Sequence, residues 1–165
     1  MLIENKIFSV FGGTSGIGKS VVEQLVKKKA KKIYAISRSP NKFVNVYGNV
    51  ELIKLDVLNE KQLINFFSKI GKYDALINAA TGGERAIGPF LKMDLEGYRN
   101  SFKKLWGYTN TVRYGIQNLS KKGCIVLVSG TPARKIKPGQ IALSSVGGAV
   151  EAFSKGLAAE ISPIR

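Results

Sequence analysis

The chain has 165 residues, 44% of them hydrophobic, which suits one domain with a sizeable core and predicts a single domain over 1–165. Histidine is absent and Cys124 is the one cysteine, which excludes Ser-His-Asp hydrolysis, histidine-based zinc sites and an internal disulfide. The net charge of +15 sits in dispersed lysine clusters with no arginine–aromatic pattern, so it reads as a solvated surface with no nucleic-acid partner. No apolar run is long enough to span a bilayer, and Glu4 and Asn5 interrupt any signal segment, so a cytoplasmic protein with no membrane partner is expected.

Strand and helix signals alternate along the chain. Ile7 to Phe11 reads as a first strand. Ile17 to Lys28 reads as a helix with Ile17, Val21, Val22, Leu25 and Val26 on one face. Lys32 to Ser37 is a second strand, followed by a polar loop from Arg38 to Gly48 that has room for a short helix. Val50 to Leu55 is a third strand ending at Asp56. Asn59 is placed to cap a helix whose apolar stripe is Leu63, Phe66, Phe67 and Ile70. Tyr73 to Asn78 is a fourth strand, and a loop of small residues runs on to Gly88. One long helix is expected from Asp94 to Leu119, a fifth strand over Ile125 to Val128, and a last helix over Ser144 to Ile161. Cys124 stands at the head of that apolar fifth strand and reads as a small core residue. Such alternation predicts an α/β fold, a doubly wound parallel sheet of Rossmann type with strand order 3-2-1-4-5.

The run from Gly12 to Ser20 satisfies two phosphate-binding patterns. Counted from Gly13 it is G-x-x-x-x-G-K-S, the P-loop of nucleoside triphosphatases, in which Lys19 would reach the phosphates, Ser20 would hold Mg²⁺ and Asp56 would serve as the acid. Counted from Gly12 it is G-x-x-x-G-x-G. In both cases glycines after a strand let backbone N–H groups and a helix N-terminus approach an anion.

Later segments favour the second pattern. Phe11 to Gly18 resembles the T-G-x-x-x-G-x-G loop of the short-chain dehydrogenase/reductase family, with Phe11 in place of threonine. Leu55-Asp56-Val57 resembles the family's adenine-binding aspartate segment, and Asp74 to Ala80 resembles D-x-L-V-N-N-A-G, with Ala79 and Thr81 replacing the second asparagine and the glycine. Gly123 to Gly130 resembles the fifth strand, and Gly148 to Phe153 and Leu157 to Arg165 resemble the helix after it. These segments follow the family's order and spacing over nearly the whole chain.

The resemblance implies a dinucleotide across the strand ends. Gly12, Thr14, Ser15, Gly16 and Ile17 would surround the pyrophosphate and nearby ribose. Asp56 and Val57 would meet the adenine, and Asn78, Ala79 and Ala80 the central ribose. At the end of the second strand, where NAD sites carry a carboxylate, this chain has Ser37 and Arg38, a pair suited to a 2′-phosphate, so the expected cofactor is NADP(H).

The family's catalytic positions carry other residues. Its tyrosine falls on Leu143, its lysine on Gly147, its serine on Gly130 and its asparagine on Lys104, and no tyrosine follows Tyr114. Lys104 is the catalytic candidate, with Ser129, Thr131 and Ser144 as further donors. The expected function is therefore an NADP(H)-dependent oxidoreductase with a degenerate active site acting on an unknown small carbonyl or alcohol. The alternatives are a non-catalytic NADP(H)-binding or sensor protein and, further off, a P-loop nucleoside triphosphatase or a basic nucleic-acid-binding module. Family members continue beyond the equivalent of Arg165, so a missing set of C-terminal strands and an exposed fifth-strand edge are also expected. The resemblance further implies a homo-oligomer through the 94–119 and 144–161 helices.

Overall fold

The computed structural model describes residues 2–43, 47–81 and 83–165; positions 44–46 of the polar loop and Gly82 of the small-residue loop lie outside the described residues. Five parallel strands, β1 (Ile7–Phe11), β2 (Lys32–Ser37), β3 (Val50–Lys54), β4 (Tyr73–Asn78) and β5 (Leu119–Leu127), form one sheet in the order β3-β2-β1-β4-β5. This is the order expected from right-handed crossovers in a doubly wound sheet. Helices α1 (Gly16–Lys27), α2 (Glu60–Ile70), α3 (Leu95–Ser101), α4 (Lys103–Gly115) and α5 (Ile141–Glu160) complete it.

Both faces of the sheet are covered, so the central strands are apolar on both sides. Phe8 and Val10 of β1 point into one core with Val22 and Leu25 of α1 and with Ile33 and Ala35 of β2. Phe11 points into the other with Leu63, Phe66 and Phe67 of α2, Tyr73 and Leu76. The second core is aromatic: Phe66 meets Phe11 edge-on at 6.1 Å between ring centroids, and Phe67 stacks on Tyr73 at 5.7 Å. Burial pushes the Tyr73 phenol well above its ordinary pKa, and its hydroxyl donates to the carbonyl of Gly115 at 3.1 Å. Asn59 caps α2 as expected, its side chain accepting from the Gln62 N–H at 3.0 Å.

Three elements differ from the sequence expectation. The helix expected over 94–119 is two helices meeting at Phe102, whose N–H donates to the carbonyl of Arg99 in a tighter turn. Ser101 lies at the junction: its hydroxyl donates to Gly97 O at 3.0 Å and accepts from the Ala86 N–H at 2.9 Å, tying the chain to the preceding loop. Leu119 belongs to β5, because Asn118 stops the helix by donating to the carbonyls of Phe67 and Gly71. β5 therefore starts earlier than Ile125: Leu119 pairs with Tyr73 and Cys124 with Ala75, with a bulge between them. Gly123 closes that bulge, where a Cβ would stand 2.7 Å from Asp74 O. Finally, α5 opens at Ile141, three residues before Ser144.

Cys124 is half-buried against the first core, and burial pushes its thiol up, in keeping with a structural role. The outer edge of β5 is met by Arg165, whose N–H donates to Gly123 O at 3.2 Å and whose carbonyl accepts from Ile125 N at 2.6 Å. No helix among the described residues is long and apolar enough to cross a membrane.

The aromatic core fixes how closely α4 can lie. A Cβ on Gly115 would stand 2.5 Å from Phe67 Cζ and 2.7 Å from the Tyr73 hydroxyl oxygen. Gly115→Ala is expected to destabilise the protein by ~1–3 kcal/mol, read as a lower urea midpoint with the slope unchanged.

Candidate functional site

The site lies where the strand order reverses, between β1 and β4, at the C-terminal ends of the strands. Gly12 turns the chain out of β1 with φ +76°, a conformation that favours glycine, while its N–H and that of Gly13 both donate to Ile36 O. Three glycines make the turn compact. A Cβ on Gly12 would stand 2.8 Å from Ala80 N, and one on Gly13 would stand 2.7 Å from Val10 O. A Cβ on Gly18 would overlap the carbonyl of Gly12. Helix α1 can therefore start directly over the strand end. Its N-terminus has no side-chain cap and no acidic residue in its first turn, which leaves backbone N–H groups open to an anion.

A groove of about 380 Å³ runs past this turn. Of the residues expected from sequence, Gly12, Ser15, Gly16 and Ile17 line it from the β1–α1 turn, and Ser37 and Arg38 from the end of β2. Asp56 and Val57 line it after β3, and Ala79 and Ala80 after β4. Two others are placed differently. Thr14 is buried, 7% exposed, and does not reach the groove. Asn78 is fully buried: its amide donates to Thr111 Oγ1 at 2.8 Å, and its Oδ1 accepts from the Ala80 N–H at 3.0 Å. It therefore holds the loop that lines the groove from beneath, because a buried amide must find its partners inside the protein.

Asp56 braces its own turn. Its Oδ1 accepts from Leu58 N at 3.0 Å, and its N–H donates to Gln62 Oε1 at 2.9 Å. Helix α4 clamps the next residue: Asn110 donates to Val57 O, and Gly107 passes so close that a Cβ there would stand 2.6 Å from Val57 Cγ2. Ser37 differs from its neighbours in that its buried hydroxyl has no hydrogen-bond partner among the described residues. Arg38 beside it is exposed, and no ion pair among the described residues engages it.

The P-loop residues point elsewhere. Lys19 Nζ stands 3.8 Å from Glu23 Oε1 and over the Phe43 ring, and Ser20 Oγ donates to Gly16 O; neither residue lines the groove.

A second, smaller cavity of about 70 Å³ lies beside the groove, and Arg85 lines both. Leu143, Gly147, Gly130 and Lys104, which stand at the resemblance's four catalytic positions, all line this inner cavity. Lys104 Nζ donates to Ser129 O at 3.2 Å and sits 5.5 Å from the centre of the Tyr108 ring. Burial, and then the charge of Arg85, lower its pKa below the ordinary lysine value. Ser129 lines the cavity too, but its hydroxyl donates to Gly147 O at 3.1 Å. Thr131 and Ser144 do not line it. Gly147 is tightly enclosed: a Cβ there would stand 2.8 Å from Ala133 Cβ.

Sequence reasoning missed Arg85, Thr81, Ile36 and Leu55 in the groove and Ser101 in the inner cavity. Arg85 did leave a signal, being a cation in the small-residue loop that follows a central strand's C-terminal end.

Comparison with known proteins accords with this geometry. The chain is 27% identical over 194 residues to a 3-ketodihydrosphingosine reductase of Dictyostelium discoideum, covering 99% of the chain and 58% of that protein. It is 27% identical over 169 residues to a 3-oxoacyl-[acyl-carrier-protein] reductase of Homo sapiens, covering 96% of the chain and 70% of the relative. Among solved structures, a short chain dehydrogenase from Burkholderia cenocepacia J2315 in complex with NADP superposes with a TM-score of 0.91 at 28% identity, over 100% of this chain and 71% of that one. The chain thus spans a little over half of the first relative and roughly 70% of the other two. The sequence model of the short chain dehydrogenases matches residues 6–165, and the chain belongs to that family.

Proposed function

We propose that the chain binds NADP(H) in the groove and acts as an oxidoreductase on a small carbonyl or alcohol presented from the inner cavity. The observation that carries this reading is the end of β2. There Ser37, whose buried hydroxyl has no hydrogen-bond partner among the described residues, and Arg38, whose guanidinium has no ion-pair partner among them, line the groove, and the carboxylate on that side, Asp56, is held in its own turn after β3. A 2′-phosphate supplies acceptors for both, whereas a bare ribose hydroxyl leaves the guanidinium uncompensated. The pyrophosphate suits the uncapped N-terminus of α1, and Asp56 and Val57 suit the adenine end. NADP- and NADPH-bound neighbours at 28% and 27% identity support the same cofactor.

When bound, the nicotinamide supplies or accepts the hydride; the protein's task is to position the substrate and handle the proton. At the inner cavity Lys104 is the titratable side chain with a lowered pKa, and its ammonium is the proton donor to the carbonyl oxygen. A second reading, a non-catalytic NADP(H)-binding protein, is favoured by Leu143 and Gly147, which offer no proton at the tyrosine and lysine positions.

Calorimetric titration is expected to give NADPH an affinity roughly 10-fold or more above that of NADH. Arg38→Ala should remove this preference and leave NADH binding unchanged; equal binding of the two cofactors by the unmodified chain would refute the 2′-phosphate assignment. With a panel of small carbonyl compounds, Lys104→Met should keep NADPH affinity and lose NADPH oxidation by roughly 100-fold or more. An unmodified protein that binds NADPH but oxidises it with no member of the panel points to the second reading.

A further inference from the structure

The inner cavity has an unusual balance of charge. Among the described residues two cations, Lys104 and Arg85, line it, and no aspartate or glutamate does. Neither cation has an ion-pair partner among the described residues. The hydroxyls that line it are already committed. Ser101 donates to Gly97 O and Ser129 to Gly147 O. The remaining lining is Gly130, Pro132, Leu143, Val146 and Gly147, whose side chains donate nothing. The side-chain donors left for a ligand are therefore the two cations. Lys104 spends one N–H on Ser129 O and keeps the rest of its ammonium available. A charge held among apolar walls is costly until a counter-charge joins it. Arg85 is exposed and keeps solvent at its guanidinium, so a neutral occupant would leave the part-buried Lys104 ammonium without a counter-charge. The volume of about 70 Å³ admits a group of only a few heavy atoms.

From this pair of cations on an acid-free cavity beside the groove, we infer that the cavity holds the carboxylate of a small organic anion. This names the substrate class of the oxidoreductase proposed above and rests on that reading: a carbonyl or alcohol compound that carries a carboxylate. Arg85 lines both cavities and sets the anion next to the groove; Lys104 meets it from α4. Burial and Arg85 hold the Lys104 pKa below the usual lysine range, and a bound carboxylate favours the protonated ammonium. Carboxylate affinity therefore falls as pH rises through that lowered pKa.

The test is calorimetric titration of the full chain, saturated with NADP⁺, using acetate and its neutral counterpart acetamide, then pyruvate and its methyl ester. The expected result is that each anion binds roughly 10-fold or more tightly than its neutral partner. Lys104→Met and Arg85→Gln should each weaken acetate roughly 10-fold, Lys104→Arg should retain most of the affinity, and acetate binding should weaken with rising pH. Equal binding of acetate and acetamide overturns the inference, as does binding of neither. Variants that lose NADP⁺ affinity and leave acetate untouched overturn it in favour of cations that serve the cofactor's phosphates. Should NADP⁺ itself fail to bind, the oxidoreductase reading falls, while the acetate and acetamide titration without cofactor still decides the cavity.

Discussion

The structure depends on the close approach of a strand end to a helix start. Gly18 of α1 lies against the carbonyl of Gly12, and Gly12 lies under the backbone of Ala79 and Ala80. A side chain at either position would displace the helix from the sheet or β1 from the loop after β4. With both absent, the turn is short and the N–H groups of α1 face the strand ends. The groove is the space left between this turn and the loops after β2, β3 and β4. The same packing that closes the sheet thus opens a site at its switch point.

The supports of that groove come from the opposite layer. Asn78 joins β4 to Thr111 and Ala80. Asn110 and Gly107 hold the Asp56–Val57 turn, and Tyr108 donates to Val128 O at the end of β5. Helix α4 therefore touches the ends of three strands and carries Lys104 on the same stretch. Its position is set by the aromatic core at Phe67, Tyr73 and Gly115, so the stability of that core and the geometry of the inner cavity are coupled.

Much of this was legible in the sequence because the signals were local. The five strands, the glycine turn and the cap at Asn59 each depend on residues within a few positions of one another. What the sequence concealed depends on distant contacts. The break at Phe102 reflects the hydrogen bond from Ala86 to Ser101, and the early start of β5 reflects Asn118 reaching back to α2. Thr14 and Asn78 matched the dinucleotide-binding pattern yet are buried, because residue type and spacing do not say which side of a loop a side chain takes. Arg85 was missed since its importance comes from lying between two cavities that only the folded chain brings together.

The enclosure of Gly147 by Ala133 bears on how this chain can change over generations. A tyrosine at 143 is a local replacement at a half-buried cavity wall. A lysine at 147 is not, because its Cβ already meets the Ala133 methyl. The order of substitutions therefore matters: position 133 must shrink or its loop must shift before position 147 can grow. Positions 133 and 147 are sterically coupled, and growth at one depends on the room left by the other.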